Sequence, residues 1–255
     1  MEEFKMELIQ ADNLSIKYPN SDVPVIVNTS FNVAKNEIFV LVGPSGCGKS
    51  TILQAIAGFI SSDGVLKMNG ETITGPDWQR GVVFQNSSLY PWLTVKDNVG
   101  FGLKVRKFPQ KKIDSRVRYL LDLIGLSDQS QTKTFELSGG MRQRVAIARV
   151  LANNSPLLLM DEPFGALDAF TRAKMQGLIL DIWRKEKTSI FMITHDLNEA
   201  IRCGNRIAIM NSHDKRIVKI MDNPFQDTDL EEISDFELER KIDGFRKDIL
   251  KIINQ

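Results

Sequence analysis

An apolar run followed at once by a glycine-rich octapeptide constrains this chain more than any other feature. Residues Ile38–Val42 read Ile-Phe-Val-Leu-Val, and residues 43–50 read Gly-Pro-Ser-Gly-Cys-Gly-Lys-Ser. The apolar run favours a strand buried on both faces, as in a parallel sheet. The octapeptide fits G-x-x-x-x-G-K-S, in which backbone N–H groups and the lysine bind phosphate oxygens. With the helical pattern Thr51–Ala57 behind it, this segment predicts a nucleotide phosphate loop.

A second apolar run ends in two carboxylates. Residues Leu157–Met160 are followed by Asp161 and Glu162. A carboxylate at a strand end suits a Mg²⁺ ligand, which Asp161 and the Ser50 hydroxyl could share. Glu162 could activate the attacking water as a general base. The alternative is a pair of solvated acids, and the phosphate loop in the same chain favours the catalytic interpretation.

The two histidines of the chain receive different interpretations. His195 follows the apolar run 189–194, so it stands at a strand end where it could hydrogen-bond a γ-phosphate; a purely structural histidine is the alternative. His213 lies in the polar segment Asn-Ser-His-Asp, which is typical of a surface turn.

A second glycine-bearing helix start lies far along the chain. Ser138, Gly139 and Gly140 precede a helical pattern that runs to about Val150. Ser138 can cap this helix, and the glycines expose N–H groups at its positive end. One chain need not bring this second anion site to the phosphate bound by Lys49. The economical explanation is a homologous partner chain that presents its own Ser138.

The order of the elements indicates an α/β fold with a parallel sheet. Short strands at Val65–Met68 and Gly81–Phe84 flank an Asn-Gly turn signal at 69–70. A helical stripe spans Ile113–Ile124, with Gly125 as its C-cap. The tail has an acidic stretch, Asp222–Glu239, followed by an amphipathic helical pattern.

Composition excludes several other classes of protein. The chain has 33 basic and 32 acidic residues, a net charge of +1, which gives no sign of a nucleic-acid groove. Its two cysteines form no CxxC pair, so we expect no disulfide framework. A reducing cytoplasm is the expected compartment. No apolar run approaches the ~20 residues of a membrane span, and the acidic start of the chain is unlike a secretory signal.

Taken together, these motifs resemble those of the ATP-binding subunits of ABC transporters. The phosphate loop resembles Walker A, and residues 158–162 resemble Walker B with its catalytic glutamate. Residues 137–140 resemble the start of the signature motif. Four further matches support the resemblance: Gln85 in the Q-loop, Asp168 after Ala166 and Leu167 in the D-loop, His195 as the switch histidine, and Tyr18 as the aromatic residue that stacks on adenine.

The resemblance implies a P-loop NTPase core of RecA-like parallel sheet, with an N-terminal antiparallel β subdomain and a helical insert carrying the signature motif. The expected domains are 1–221 for ATP binding, with the insert at about 87–153, and 222–255 for an acidic linker and a C-terminal helix. Two subunits are expected to enclose two ATP molecules, each between the Walker motifs of one chain and the signature motif of the other.

Specific roles follow for individual residues under this resemblance. Glu162, His195 and Gln85 are expected to be catalytic, although the sequence does not settle how Glu162 and His195 divide the work. The expected Mg²⁺ ligands are Ser50, Gln85 and Asp161, and Asp168 belongs to the D-loop. Ser138, Gly139 and Gly140 are expected to contact ATP bound to the partner. The expected ATP-binding residues are Tyr18, Gly43, Pro44, Ser45, Gly46, Cys47, Gly48, Lys49, Ser50 and Thr51.

The same resemblance implies partners and a location. The partners are a second copy or paired ATPase subunit, transmembrane permease subunits and, indirectly, an extracellular or periplasmic solute-binding protein, with no nucleic acid. The location is the cytoplasmic face of the membrane. The segment Ser88–Val95 resembles importers of nitrate, taurine and aliphatic sulfonates, so a small anion is the expected solute. A soluble ABC ATPase without a transport role is the alternative, and a purely regulatory nucleotide-binding module is less favoured.

Four side chains carry sharper expectations. Tyr18 is either an adenine-stacking ring or a core aromatic residue. Cys47 stands near Lys49 and a helix N-terminus, and both features favour a reactive thiolate. Tyr90 and Trp92 either receive a helix of the membrane subunit or pack into the helical insert.

Overall fold

The computed structural model describes residues 6–19, 21, 23–165, 167–225 and 235–254, without the side chains of Asp235 and Phe236. The chain divides into two units, residues 1–76 with 189–255 (unit 1) and residues 77–188 (unit 2). Ala166 of the expected D-loop and the acidic positions within 226–234 lie outside the described residues.

Unit 1 contains an antiparallel sheet in the order β2-β1-β4-β5. The alternating burial of β2, with Phe31 and Val33 inward, is the pattern of a sheet with one face on the core. The predicted N-terminal strands are therefore confirmed. The strands are β1 (Glu7–Ile16), β2 (Ile26–Ala34), β4 (Asp63–Met68) and β5 (Glu71–Thr72).

The Asn69-Gly70 turn joins β4 to a strand that the sequence did not predict. Both turn residues have positive φ, 50° and 81°, as a two-residue hairpin of this type requires. Met68 pairs with Glu71 across the turn. β5 was missed because two exposed polar residues carry no apolar periodicity.

A second set of strands in unit 1 carries the phosphate loop. β3 (Ile38–Val42) lies between β8 (Ser189–Thr194) and β9 (Arg206–Met210) and runs parallel to both. β10 (Ile217–Asp222) pairs antiparallel with β9. Every residue of β3 and β8 is buried, so the predicted buried parallel strands are confirmed.

The described residues of unit 1 form three helices: α1 (Lys49–Ala57), α6 (Leu197–Cys203) and α7 (Asp235–Ile253). Gly58 ends α1 with φ of 80°, a left-handed conformation that suits glycine. The apolar face predicted for the tail is present in α7: Ile249 is fully buried, and the rings of Phe245 and Phe225 lie 5.7 Å apart.

Unit 2, as far as its residues are described, combines a parallel strand pair with four α-helices. β6 (Arg80–Val83) runs parallel to β7 (Leu157–Asp161). The predicted stripe is buried along α3, and Gly125 follows it with φ of 66°. Short 3-10 helices span Ser127–Gln129 and Thr134–Glu136. The helices are α2 (Val95–Val105), α3 (Gln110–Leu123), α4 (Gly139–Leu151) and α5 (Ala169–Glu186).

Candidate active site

The register of β3 and β8 places two predicted site segments at one edge of unit 1. Val42, the last residue of β3, pairs with Thr194, the last residue of β8. Gly43 and the exposed His195 therefore leave parallel neighbouring strands at the same carboxyl edge. Ligands of open α/β sheets bind at this edge.

Glycine is required at two positions of the phosphate loop. A Cβ at Gly43 would lie 2.6 Å from the carbonyl oxygen of Met210, and a Cβ at Gly48 would lie 2.5 Å from Ile26 Cδ1. Gly48 also has φ of 108°, which side-chain-bearing residues rarely adopt. Both glycines let the loop follow a path that a side chain would block.

The N-terminus of α1 has no side chain to cap it. Gly48 stands at the cap position, and the first turn contains no acidic residue. Four other helices have a side-chain oxygen that accepts from their first-turn N–H groups: Thr94 for α2, Ser138 for α4, Asp168 for α5 and Asp196 for α6. A helix N-terminus without a side-chain cap fits a bound phosphate.

Lys49 is buried and lies against its own loop. Its Nζ donates hydrogen bonds of 2.8 Å to the carbonyl oxygens of both Gly43 and Pro44. These bonds hold the ammonium group at the start of α1, where it adds positive charge to the helix N-terminus. The loop therefore fits the phosphates of a nucleotide through both its backbone and its lysine.

Tyr18 lies beside the first turn of α1 rather than in the core. Its side chain is 38% exposed, and its hydroxyl is 3.2 Å from Thr51 Oγ1 and 3.5 Å from Gln54 Oε1. The core alternative for Tyr18 is therefore wrong. The ring is available at the surface next to the loop, as an adenine-stacking residue needs to be.

Cys47 departs from its expectation. It is only 5% exposed, and burial raises the pKa of its thiol more than the charge of Lys49 lowers it. The expected reactive thiolate is therefore wrong, because desolvation disfavours the charged form. The sequence shows that Cys47 is near a lysine and a helix start. It does not show that the side chain is buried, and burial has the larger effect on the pKa of the thiol.

A buried network that sequence reasoning missed holds the segment around His195. Thr194 Oγ1 donates a 2.5 Å hydrogen bond to the buried Glu199, and it accepts from the backbone N–H of Asp196 at 3.0 Å. The residues on both sides of His195 are thus tied down. His213 is exposed in a turn, as predicted.

The carboxyl edge of β6 and β7 gathers the acidic candidates in unit 2. Val83 pairs with Met160, so Gln85 and the pair Asp161 and Glu162 follow neighbouring strand ends. A Cβ at Gly165 would lie 3.2 Å from Gln85 Nε2 and 3.8 Å from Glu162 Oε2. Because Gly165 has no Cβ, the side chains of Gln85 and Glu162 can both lie close to this position.

Glu162 has an uncommon backbone conformation. Its φ is 44°, in the left-handed region that non-glycine residues rarely enter. Its carbonyl oxygen accepts from the N–H of Gly165 at 3.2 Å, and Phe164 between them is fully buried. An anchored turn thus holds the carboxylate at the strand end, and such strain concentrates at functional sites.

The signature segment forms the start of α4, as predicted. Ser138 caps the helix, with its Oγ 3.3 Å from the N–H of Met141. A Cβ at Gly140 would lie 2.7 Å from Thr171 Cγ2, so this glycine allows α4 to pack closely on α5.

Asp168 has a structural task at the start of α5. It accepts from the N–H groups of Thr171 at 3.0 Å and Phe170 at 3.1 Å. Hydrogen bonds from Thr171 above all lower the pKa of this carboxyl. The expected D-loop aspartate is therefore an N-cap in this chain.

Neither a membrane span nor a preformed metal cluster occurs in the part of the chain that is described. None of its helices combines the length and apolarity needed to cross a bilayer. No group of three His, Cys, Asp or Glu side chains there could hold a metal. The expected Mg²⁺ donors include a hydroxyl and an amide, and hard oxygen donors of this kind fit Mg²⁺ that keeps water and phosphate ligands.

Comparison with known families decides the identity of these motifs. The family model described as ABC transporter matches residues 26–165, which include the phosphate loop, Gln85, the signature segment and both carboxylates. The chain belongs to the ABC transporter family. It is an ABC transporter ATPase, and the ATPases of this family bind ATP.

Curated members of the family match most of the chain. The taurine import ATP-binding protein TauB of Roseobacter denitrificans is 44% identical over 233 residues, 88% of this chain and 87% of that protein. The aliphatic sulfonates import ATP-binding protein SsuB of Bacillus subtilis is 45% identical over 198 residues, 77% and 76% of the two chains.

Solved structures confirm the expected fold. The Clostridium perfringens cbiO1 structure, part of the ABC transporter complex cbiONQ, superimposes with a TM-score of 0.80 over 98% of this chain and all of that one, at 23% identity. The ATP-binding cassette MJ0796, a dimer bound to ADP and Pi, gives a TM-score of 0.73 at 29% identity, over 84% of this chain and 98% of that one. The ABC ATPase has the antiparallel β subdomain and the parallel strands that the resemblance implied.

A cavity of about 460 Å³ lies in unit 2 of this ABC ATPase. We call it the Gln85 groove. One wall is the segment after Gln85, and another is the start of α4 with Phe135 before it. Its lining includes Gln85, Ser88, Leu89, Pro91, Phe135 and Leu167.

The two aromatic residues beside the Gln85 groove have different environments. Tyr90 packs on Phe101, with ring centroids 4.5 Å apart, whereas Trp92 remains 67% exposed. Tyr90 therefore packs into the insert, as one alternative expected. Trp92 does not share that environment, and its contact with a membrane subunit stays a prediction.

Proposed function

We propose that this ABC ATPase drives the import of a small sulfonate of the taurine and alkanesulfonate class. The observation that carries the proposal is that two curated importers of such solutes, TauB and SsuB, are 44% and 45% identical to it. ATPase subunits do not select the solute, so this assignment extends to the membrane and binding subunits encoded or purified with the chain.

The phosphate loop binds the phosphates of ATP under this proposal. Its backbone N–H groups and Lys49 neutralise the phosphate charge, and Tyr18 stacks on adenine beside Thr51. The support is the uncapped N-terminus of α1 and the position of Lys49 on its own loop. The binding set is Tyr18, Gly43, Pro44, Ser45, Gly46, Cys47, Gly48, Lys49, Ser50 and Thr51.

Three oxygen donors would hold Mg²⁺: Ser50, Gln85 and Asp161. Bound Mg²⁺ would supply charge neutralisation at the outer phosphates. Glu162 orients the attacking water and accepts its proton, while His195 donates a hydrogen bond to a γ-phosphate oxygen. The strained turn at Glu162 and the tied loop around His195 support these roles.

A second copy of the chain completes each site. Ser138, Gly139 and Gly140 of one copy contact ATP bound to the other, and Asp168 supports the adjoining loop. The dimer bound to ADP and Pi that MJ0796 forms supports this arrangement.

The membrane partner binds at the Gln85 groove. A short cytoplasmic helix of the permease would contact Trp92, which is exposed beside a cavity lined by Leu89 and Pro91. The chain then lies at the cytoplasmic face of the membrane, and an external solute-binding protein acts on it only through the permease. The proposed domains are 1–221, with a helical insert at about 87–153, and 222–255.

Transport by the assembled complex tests the proposal. Proteoliposomes with the permease, a binding protein and this chain should accumulate radiolabelled taurine or ethanesulfonate with internal ATP, and Glu162→Gln complexes should not. ATP hydrolysis by a chain that recruits no permease and drives no uptake would instead indicate a soluble ABC ATPase.

The docking surface has its own test. Trp92→Ala should weaken co-purification with the permease because Trp residues often dominate binding interfaces. Phe59→Ala removes an exposed aromatic residue from unit 1 and serves as the control. Equal retention of the permease by both variants would remove Trp92 from the docking surface.

A further inference from the structure

The segment that follows Gln85 is held by one arginine of the signature helix. Arg149, near the C-terminal end of α4, donates from Nη1 to the carbonyl oxygen of Ser88 at 2.9 Å and from Nη2 to that of Ser87 at 3.5 Å. Its guanidinium carbon lies 5.5 Å from the centre of the Tyr90 ring. One side chain thus contacts three of the five residues that follow Gln85.

The backbone that Arg149 holds is in an uncommon conformation. Ser88 has φ of 45°, which costs free energy for a residue with a Cβ, and its hydroxyl donates to the carbonyl of Asn86 at 2.9 Å. Such a conformation persists only where surrounding contacts stabilise it. The charged hydrogen bonds from Arg149 are stronger than neutral ones and supply this stabilisation.

The far end of the same segment is anchored separately. Asn98 of α2 is fully buried, accepts from the N–H of Tyr90 at 2.9 Å and donates to its carbonyl at 3.1 Å. Residues 86–89 lie between this anchor and Gln85. The hydrogen bonds from Arg149 connect residues 87 and 88 of this stretch to helix α4.

We propose that Arg149 is a positioning residue for hydrolysis: it fixes the backbone after Gln85, so that the Gln85 amide stays beside Glu162 around Gly165. The inference rests on the proposed role of Gln85. It also connects Gln85 to the signature motif, because Ser138 begins the helix that carries Arg149, roughly 16 Å along its axis.

A matched arginine in the same unit provides the control. Arg106 donates to the carbonyl oxygen of Asn153 at 3.2 Å and stacks 4.2 Å from the Trp78 ring centre. It therefore makes the same kinds of contact as Arg149 without touching the segment after Gln85. Arg149→Gln, Arg149→Lys, Arg106→Gln and Gln85→Ala are compared in the full-length chain.

The first measurement follows the backbone itself. Arg149→Gln should lower the NMR backbone order parameters of residues 86–89 from rigid values toward about 0.6, while Arg106→Gln leaves them unchanged. Unchanged order parameters in Arg149→Gln would overturn the inference, whatever its effect on activity.

The second measurement separates positioning from general stability. Arg149→Gln should lower kcat for ATP about tenfold, with KM within about twofold and a melting temperature close to that of Arg106→Gln. Arg149→Lys should recover part of kcat because its ammonium can hold one carbonyl. A fall in kcat that tracks the melting temperature in all arginine variants would overturn the inference.

A double variant tests whether Arg149 acts through Gln85. If it does, Gln85→Ala with Arg149→Gln should be no slower than Gln85→Ala alone, because the second change has nothing left to position. Effects that multiply would overturn the role of Arg149 and leave that of Gln85 intact. Wild-type turnover by Gln85→Ala would instead remove the proposed role of Gln85, and the inference with it.

Discussion

The two glycine-bearing helix starts of this ABC ATPase differ in what satisfies their first N–H groups. At α1 the cap position is Gly48, which offers no side-chain acceptor, and Lys49 lies buried on its own loop. At α4 the exposed Ser138 caps the helix with its own hydroxyl. The start of α1 thus lacks the side-chain cap that the start of α4 has. This difference fits a phosphate bound by its own chain at α1 and contacted at α4 only across a dimer.

The segments that precede the two helices also differ, in how exposed their residues are. α1 follows a strand with no exposed residue, whereas α4 follows Phe135, which is 66% exposed. Buried, glycine-dependent geometry in unit 1 suits tight binding of a common ligand. Exposed side chains in unit 2 suit contacts that form and break with partners.

The largest expected effect separates binding from turnover. Glu162→Gln should bind ATP normally and lose about 10²–10⁴ in hydrolysis rate, because a positioned general base contributes that much. Steady-state phosphate release and equilibrium binding of a fluorescent ATP measure the two quantities. Glu71→Gln, an exposed glutamate on β5, is the control. Near-normal hydrolysis by Glu162→Gln would contradict the catalytic role.

The next prediction tests whether Lys49, at the start of α1, contributes to ATP binding. Lys49→Ala should weaken ATP binding by about 100-fold, since hydrogen bonds to charged groups contribute about 1.5–3 kcal/mol each. Calorimetric titration measures this, with the exposed Lys35→Ala as control. If both variants bind ATP alike, Lys49 does not reach the phosphates, and the contrast with α4 loses its basis.

Two N-caps within unit 2 give a sharper comparison. Ser138→Ala and Thr94→Ala each remove a side-chain cap and should each lower the free energy of unfolding by about 1 kcal/mol. Only Ser138→Ala should also reduce ATP-dependent dimerisation, measured by light scattering with the Glu162→Gln change present. Equal dimerisation by the two variants would restrict Ser138 to its capping role.

The last prediction concerns stability alone, in the buried interior of unit 1. Burial raises the pKa of Cys203 from 9.0 to about 12, with a smaller contribution from the charge of Glu199. The folded state thus keeps a proton that the unfolded state loses above about pH 9, so this part of the stability is complete below pH 9 and falls as pH rises toward 12.

Removal of the Cys203 thiol should make stability less dependent on pH. Urea unfolding at pH 8, 9.5 and 10.5 should show a shallower decline for Cys203→Ala, by at most about 1.4 kcal/mol per pH unit. Ile201→Val, a neighbouring buried substitution without a titrating group, should keep the wild-type slope. Identical slopes for all three proteins would mean that Cys203 is not desolvated.

Local patterns predicted much of this fold because the relevant interactions are close in sequence. The strand Ile38–Val42, the cap at Ser138 and the stop at Gly58 depend on a few neighbouring residues. β5 was missed because its pairing depends on a turn and not on its own two residues.

The environment of a side chain was harder to predict than its place in an element. Cys47 lies within the phosphate loop and Tyr18 lies beside it, yet Cys47 is buried and Tyr18 is exposed. The type of a residue does not determine how much of its side chain is covered by other segments of the chain. Glu199 was missed because its buried hydrogen bond to Thr194, five positions earlier, depends on the conformation of the connection between β8 and α6.

The sequence by itself determined the chemistry of this ABC ATPase: a loop for phosphates, a strand ending in carboxylates, a second helix start with glycines, and their order along the chain. Only the tertiary structure decided that Gln85 and Glu162 meet around Gly165, that Arg149 holds the backbone between Gln85 and Tyr90, and that Trp92 stays exposed. Motifs are contiguous and need only local geometry. These contacts join residues about 60 or more positions apart, or depend on which segments cover a side chain, and packing alone sets both.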